Sequence, residues 1–536
     1  MAQVTVDQFS KMQIFNTDIH AALVTIQDIC VDVVGINCSI GPDLMAKTVE
    51  TLSHFSKLPI SVIPNAGLPV SEAGRTVYKF TPKAMAKHHA HFVSELGANI
   101  VGGCCGTGPD HIRASADAVR GLKPATRKPA SGEWISGPQN AVSLDSTAAL
   151  IRIGERLNVR GSAKVRNAVE GVEKIDQAAL EEVVNEQTGD LGLEVIDVCM
   201  DSNLVDTANT LKTVIHEQTG DFSGAMSIDS FAVEVLAAAA DVYPGRPIIN
   251  SMSMEEVEDG VTKVDAVIQA TNVHSPVYIA LCAGPEGPAA TREDKARLAQ
   301  DVVNNAAKHG VPPGRILIDM NVFPLGSESD PRLNFALESL EAIPLIKAIH
   351  PDLKTTCGVG NLTNGLANKP YMRKVLTSVW LDEGRKRGLD AAIVNPNHYV
   401  YVEDLDRHDY DLAVRAILKR DMDAFEELEE IAERKKGVEV VKRTSYDDLS
   451  AEEAICEKIF DGFKQREAGE VVVDGHTYKF TDAIVKQVAS IVDKHDPLVF
   501  INDYLMAAMK RLGDGFAQGD VSLPHLLKSA DVMKQV

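Results

Sequence analysis

No apolar run in the 536-residue chain reaches the roughly 18 residues that cross a bilayer, so helical membrane spans are not expected. Positive charge is also short. The chain has 54 Lys and Arg against 76 Asp and Glu, a formal charge of −22, which argues against nucleic acid or an anionic membrane as a partner. The opening residues, MAQVTVDQFSKMQ, lack a basic stretch followed by an apolar one, so no export signal is expected. Eight cysteines (30, 38, 104, 105, 199, 282, 357 and 456) are scattered without a disulfide-scaffold spacing. These absences point to a soluble cytoplasmic protein. Its length calls for two to four domains, and 45% hydrophobic residues are available to fill their cores.

Three blocks are present. Residues 1–122 contain the strand candidates VDVVGINC (31–38) and ANIVGGCC (98–105), a shorter one in LPISVIPN, and helical stretches such as TPKAMAKHHAHFVSELG. Residues 123–147, rich in Pro, Gly and Ser, read as a linker. From 148 to 435 eight strand candidates alternate with helical stretches: ALIRIG, LEVIDVCM, AMSIDS, RPIINS, PVYIALC, RILIDMN, TTCGVG and DAAIVN. Eight such units predict an α/β fold of the (β/α)8 barrel type, with a doubly wound open sheet as the alternative. Residues 445–536 read as four helices, with an Asp-Gly hairpin in VVVDGHTYKF.

The stretch NIVGGCCGTGPDHI (99–112) places Cys104 and Cys105 among glycines at the end of a strand, and Cys38 ends another. In one parallel barrel these ends share a rim. Three thiolates there suit a catalytic zinc, because the fourth position stays open for a substrate thiol. The alternative is that they are small buried hydrophobes, which is the reading taken for Cys30.

GINCSIGP (35–42), IPNAGLP (63–69) and GGCCGTGPDHIRA (102–114) resemble the homocysteine-binding zinc barrel of the cobalamin-dependent methionine synthases, and are similar to betaine–homocysteine methyltransferases. The resemblance implies Cys38, Cys104 and Cys105 as zinc ligands, with Asn65 beside the metal as a fourth ligand when no thiol is bound. It covers the last three strands of such a barrel. A partial barrel is therefore expected: either a partner chain supplies the missing strands or the chain is a truncated product.

In the second block Glu155 and Asn158 follow strand one, while Asp197, Asp229, Asn250, Asp319 and Asn361 lie on strands two, three, four, six and seven. This ring of carboxylates and carboxamides, with few cations, suits a neutral heterocycle rich in N–H donors and does not suit phosphate. One or two of these residues fit the alternative role of helix N-cap. IGERLNVRGSAK, SIDSF, INSMS, IDMNVFPLG and VGVGNLTNG resemble the pterin-binding barrel of methionine synthases and folate–corrinoid methyltransferases. That implies a methyltetrahydrofolate site of Glu155, Asn158, Asp229, Asn250, Asp319 and Asn361, with Asn361 nearest the methyl-bearing N5. Dihydropteroate synthase shares the barrel, but it calls for a Ser-Arg-Lys stretch where this chain has Gly360-Asn361-Leu362.

DPLVFINDYLMAAMKRLGDGFAQGDVSLPHLLKSADVMKQV (496–536) resembles the four-helix cap over methylcobalamin, which implies Phe516 and Leu523 as shields of the methyl group. The corrinoid loop Asp-x-His-x-x-Gly does not occur in the chain, so a further corrinoid-bearing chain is expected as a partner. The activity implied is methyl transfer from methyltetrahydrofolate through cobalamin to homocysteine, incomplete in a chain truncated at both ends. The alternatives are the folate half-reaction alone, or a corrinoid-binding scaffold.

Overall fold

The structure is a computed structural model that describes residues 1–147, 149–220, 222–325, 327, 333–366, 369–435, 450, 454–457, 466–473, 476–482, 488, 500–518 and 529. Two compact units divide the chain. One comprises Met1–Asp145, Ile151–Asn364 and Trp380–Pro396; the other comprises Ser146–Leu150, Gly365–Val379 and Asn397–Val536. Among the described residues no helix is long and apolar enough to cross a membrane.

The first unit opens with a parallel sheet of four strands in the order Ala2–Val4, Val34–Asn37, Ile60–Ile63, Ile100–Val101. Its core gathers Val34, Ile36, Ile60, Val62 and Phe92, each exposed by 1% or less. Helices Pro42–Phe55, Pro82–Ser94 and Pro109–Val119 each start on a proline, whose fixed φ and missing N–H suit a first turn. Three strands were legible in the sequence. The fourth, Ala2–Val4, is too short to carry a periodicity.

All eight expected strands of the second block form, as Ile151–Asn158, Val195–Cys199, Ala225–Asp229, Ile248–Met252, Val277–Leu281, Ile316–Asp319, Lys354–Thr356 and Ala391–Val394. They pair in parallel, with the eighth beside the first. A bridge between Gly358 and Ile393 joins the seventh to the eighth, so the sheet closes as a barrel and not as a doubly wound sheet. Most of the strands are buried on both faces, as a parallel sheet wrapped in helices requires. The first strand runs further than expected, so Glu155 and Asn158 lie within it and not after it.

The segment read as a linker is partly structured. Trp134–Ser136 and Ala141–Ser143 form an antiparallel hairpin that bridges to Arg246. Its Ile135 and Leu144 pack with Val195, Ala225, Ile248 and Val277, the first residues of four barrel strands. The hairpin therefore stoppers the N-terminal mouth of the barrel. Arg246 beneath it pairs with Glu133 at 3.1 Å and Asp28 at 3.6 Å, tying the first block to the barrel.

In the second unit helix Arg407–Lys419 packs on helix Met422–Arg434. The expected Asp-Gly hairpin is present and longer, Arg466–Val473 against His476–Asp482. Arg466, Glu467, Thr481 and Asp482 flank VVVDGHTYKF, in the part of 445–536 read as helical, and are strand residues. Helix Met506–Gln518 lies within the stretch 445–536 read as helical. The four-helix arrangement as a whole falls outside the described residues.

Candidate functional site

Cys38, Cys104 and Cys105 converge as the spacing predicted. Their sulfurs lie within 4.8 Å of one another, and Cys38 Sγ stands 3.7 Å from Cys105 Sγ. Local geometry makes this possible. Cys38 and Ser39 both take left-handed backbone, φ 64 and 62, directly after strand Val34–Asn37, a conformation that costs a non-glycine residue about 1 kcal/mol and aims the thiol inward. Gly106, φ 75, lies under Tyr78, and a Cβ there would stand 2.2 Å from the tyrosine ring. Any other residue would push Tyr78 off the cluster.

Burial disfavours the Cys38 thiolate, but hydrogen bonds from the Ser39 backbone, the neighbouring thiols and Asn65 outweigh it and lower the pKa. Burial, with the hydrogen bond and charge of Cys38, pushes Cys104 up to about 11. One of the two gives up its proton first, as close thiols must. Asn65 is 3% exposed, and its Oδ1 accepts the Cys105 N–H at 3.0 Å, so it holds the loop that carries the thiols. Cys30 is exposed and apart from the cluster. A soft divalent metal fits this donor set.

The barrel builds the other cluster. Parallel register sets Asn158, Cys199, Asp229 and Asn250 side by side on strands one to four, with Asp319 beside Thr356 on strands six and seven. Asn250 Nδ2 donates to Asp197 Oδ1 at 3.1 Å. Gly360 backs onto Glu155, where a Cβ would stand 3.2 Å from Oε2, so the strand-seven loop closes on strand one. Asn361 follows it, exposed at the mouth. Asn158 faces its own loop, its Oδ1 accepting the N–H groups of Arg160 and Gly161. These are bonds within the loop and not a helix cap: the helix that follows, Ala163–Val169, is capped by Ser162.

Burial dominates the acids. It pushes Asp197 up to about 6 against hydrogen bonds from Ser227 and Asn250, and Asp319 up to about 6 against the Asn321 N–H and the charge of Lys295. Asp229 rises well above the carboxylate range, through burial and then the charge of Asp197. The pair retains a proton at pH values where an exposed aspartate has lost it.

Two lysines escaped the sequence reading. Lys263, 8% exposed, has its pKa lowered by burial, partly offset by the charges of Glu255, Asp229 and Asp201. Lys295, fully buried, donates to the Ala289 carbonyl at 2.8 Å and is brought down to about 8 by burial. The expectation of few cations around the ring is corrected accordingly. Nothing in local spacing marks either lysine; their burial is set by tertiary contacts. Phe516 falls on helix Met506–Gln518, and Leu523 lies outside the described residues.

Residues 1–119 match the homocysteine S-methyltransferase family, residues 154–395 the pterin binding enzyme family and residues 467–536 the B12 binding domain family. Over 534 residues the chain is 32% identical to a methionine synthase of Mycobacterium tuberculosis, covering 99% of this chain and 43% of that protein. A methionine synthase of Mycobacterium leprae is 30% identical over 543 residues, with the same shares. The chain thus spans less than half the length of these curated relatives. Among solved structures, a dihydropteroate synthase from Xanthomonas albilineans in complex with 7,8-dihydropteroate is 16% identical over 49% of this chain and 92% of that one, with a TM-score of 0.35. The chain carries, in order, a homocysteine S-methyltransferase region, a pterin-binding region and a B12-binding region.

Proposed function

We propose that a chain carrying these three regions in this order is a cytoplasmic methyltransferase of the methionine synthase type, which moves a methyl group from 5-methyltetrahydrofolate by way of cobalamin to homocysteine. The observation that carries the reading is the enclosed row of acids and carboxamides at the C-terminal mouth of the barrel. A pteridine presents an amino group, ring N–H groups and ring nitrogens along its edges, so it needs both acceptors and donors. Asp319, once ionised, accepts a pair of N–H groups. Asp229, which keeps its proton beside Asp197, offers an O–H to a ring nitrogen. Asn250, fixed by its bond to Asp197, presents its carbonyl oxygen, and Glu155 and Asn158 flank the ring.

Asn361, exposed in the loop after strand seven, is the residue assigned in this proposal to the ring's N5. The N–CH3 bond breaks with its electron pair remaining on N5, and a proton must reach that nitrogen, since an amide anion is a very poor leaving group. Asn361 orients N5 for that proton. Cobalamin, when bound, supplies the nucleophile that accepts the methyl group.

Cys38, Cys104 and Cys105 would hold zinc, with Asn65 as the oxygen ligand in the absence of substrate thiol. Zinc, when bound, supplies the Lewis acidity that keeps a homocysteine thiol ionised near neutral pH. Phe516 and Leu523 belong to the proposed shield over the corrinoid.

The test offers cob(I)alamin free in solution with methyltetrahydrofolate. Loss of the cob(I) absorbance is expected, and Asn361→Ala should slow it by 10-fold or more, about the effect of losing one positioned hydrogen bond in a transition state. No methylation despite folate binding would sink the activity and leave a scaffold. The second reading, the folate half-reaction alone, draws on the open edges of the four-stranded sheet that bears the thiols. Methionine formation from added homocysteine would exclude it.

A further inference from the structure

Lys295, on helix Arg292–Lys308, is wholly buried, and among the described residues its ammonium forms no ion pair. Its donors go instead to three main-chain carbonyls, those of Ala289, Met320 and Asn321. The nitrogen also lies over the Phe323 ring, 5.2 Å from its centre. A buried cation matched only by neutral oxygens is costly, and an apolar side chain of similar size would avoid that cost. The fold nevertheless keeps a charge here, next to the acid row.

Two of the three carbonyls belong to the loop that follows strand Ile316–Asp319. Asn321, in that loop, takes left-handed backbone, φ 48. Its N–H donates to Asp319 Oδ1 at 2.7 Å, while its carbonyl accepts Lys295 Nζ at 3.3 Å. A single turn thus links the ammonium to the carboxyl group. Burial raises the Asp319 pKa, and the Asn321 N–H and the charge of Lys295 both draw it back down. The other titratable groups facing the pair are neutral or engaged. Burial keeps the Cys282 and Cys357 thiols protonated, and Glu338 is bound to Arg292 at 2.6 Å.

We propose that Lys295 is a positioning residue for the barrel site: it holds the Met320–Asn321 turn against Asp319 and keeps that side chain an anion, ready for a pair of ligand N–H groups. The proposal rests on the pterin reading of the barrel. Ligand affinity then follows the ionisation of Asp319, and removing the lysine charge moves that ionisation to higher pH.

The experiment measures binding of methyltetrahydrofolate to the full chain by calorimetry from pH 5 to 9, on variants first shown to unfold cooperatively in urea. In wild type, affinity should rise with pH through about 6, as Asp319 loses its proton. Asp197 titrates in the same range, so the reading is the difference between wild type and variant. Lys295→Met should move the midpoint up by about one pH unit or more, and weaken binding at pH 7 roughly two- to tenfold. The two profiles should converge toward pH 9, above the value of about 8 at which Lys295 itself gives up its proton. Lys295→Gln, which keeps donors for the carbonyls without the charge, should shift the midpoint in the same way, and it stands in for Lys295→Met if that variant does not fold. Lys295→Arg, which keeps the charge, should hold the midpoint near the wild-type value. An unshifted midpoint in the uncharged variants, even with weaker binding, would overturn the proposal and leave Lys295 a support of the loop. Failure of wild type to bind at any pH would instead overturn the pterin reading, and the proposal with it.

Discussion

The thiols and the acids of this chain both stand at the C-terminal ends of parallel strands, yet their surroundings differ in kind. The thiols sit on a sheet of four strands whose edges, Ala2–Val4 and Ile100–Val101, have no further strand beside them among the described residues, and Cys105 is exposed. The acids sit on a sheet that returns to its own first strand. Closure removes water, so desolvation governs Asp197, Asp229 and Asp319 and drives all three the same way. At the open sheet burial raises both thiols, but hydrogen bonds outweigh it at Cys38 while the bond and charge of Cys38 reinforce it at Cys104, so the two shift in opposite directions. An enclosed site is prepared by the fold. A site on an open sheet depends on its own loop and on what binds there.

The comparison can be broken most sharply with metal. Cys38→Ser or Cys104→Ser should weaken zinc binding more than 100-fold, beyond the range reached by outer partners of a metal site, whereas Cys30→Ser should leave it unchanged. Metal analysis of the purified variants, with a competing chelator, gives the answer. Equal zinc in all three would dissolve the thiol site.

The next effect lies in the barrel. Asp319 holds its proton to about pH 6 when folded, against about 4 unfolded. The folded state therefore binds more protons between these values. Its contribution to stability is complete below about pH 4 and is lost as pH rises through about 6. Asp319→Asn cannot ionise, so it should be more stable than wild type at pH 7 by up to about 3 kcal/mol and lack that decline. Urea unfolding across this range tests it. The same variant should bind methyltetrahydrofolate more weakly, which separates stability from function. Asn250→Ala should cost about 1–3 kcal/mol of methyltetrahydrofolate binding, because it also removes one of the donors to Asp197. Unchanged affinity by calorimetry would remove Asn250 from the site.

The alternation of apolar strand and polar helix made all eight barrel strands legible, since a strand buried on both faces has to be a continuous apolar run. Cys38, Cys104 and Cys105 were legible for a different reason: thiols flanked by glycines have few structural uses. What stayed hidden was tertiary. Ile135 and Leu144 sit in a segment whose prolines and glycines disguise a core element. Lys263 and Lys295 have the composition of solvated residues and are buried all the same. Glu155 and Asn158 were placed correctly at the mouth, but the strand boundary was not, because strand ends are set by pairing with the next strand.

The hairpin under the barrel bears on traffic. With Trp134–Ser136 and Ala141–Ser143 stopping one end, a ligand held among the acids enters from the opposite face, the one that carries Asn361. On the proposed activity the methyl acceptor comes to that same face. Spent folate and docked acceptor would then obstruct each other, so departure of the acceptor would precede exchange of the folate, and turnover would become a queue at one threshold.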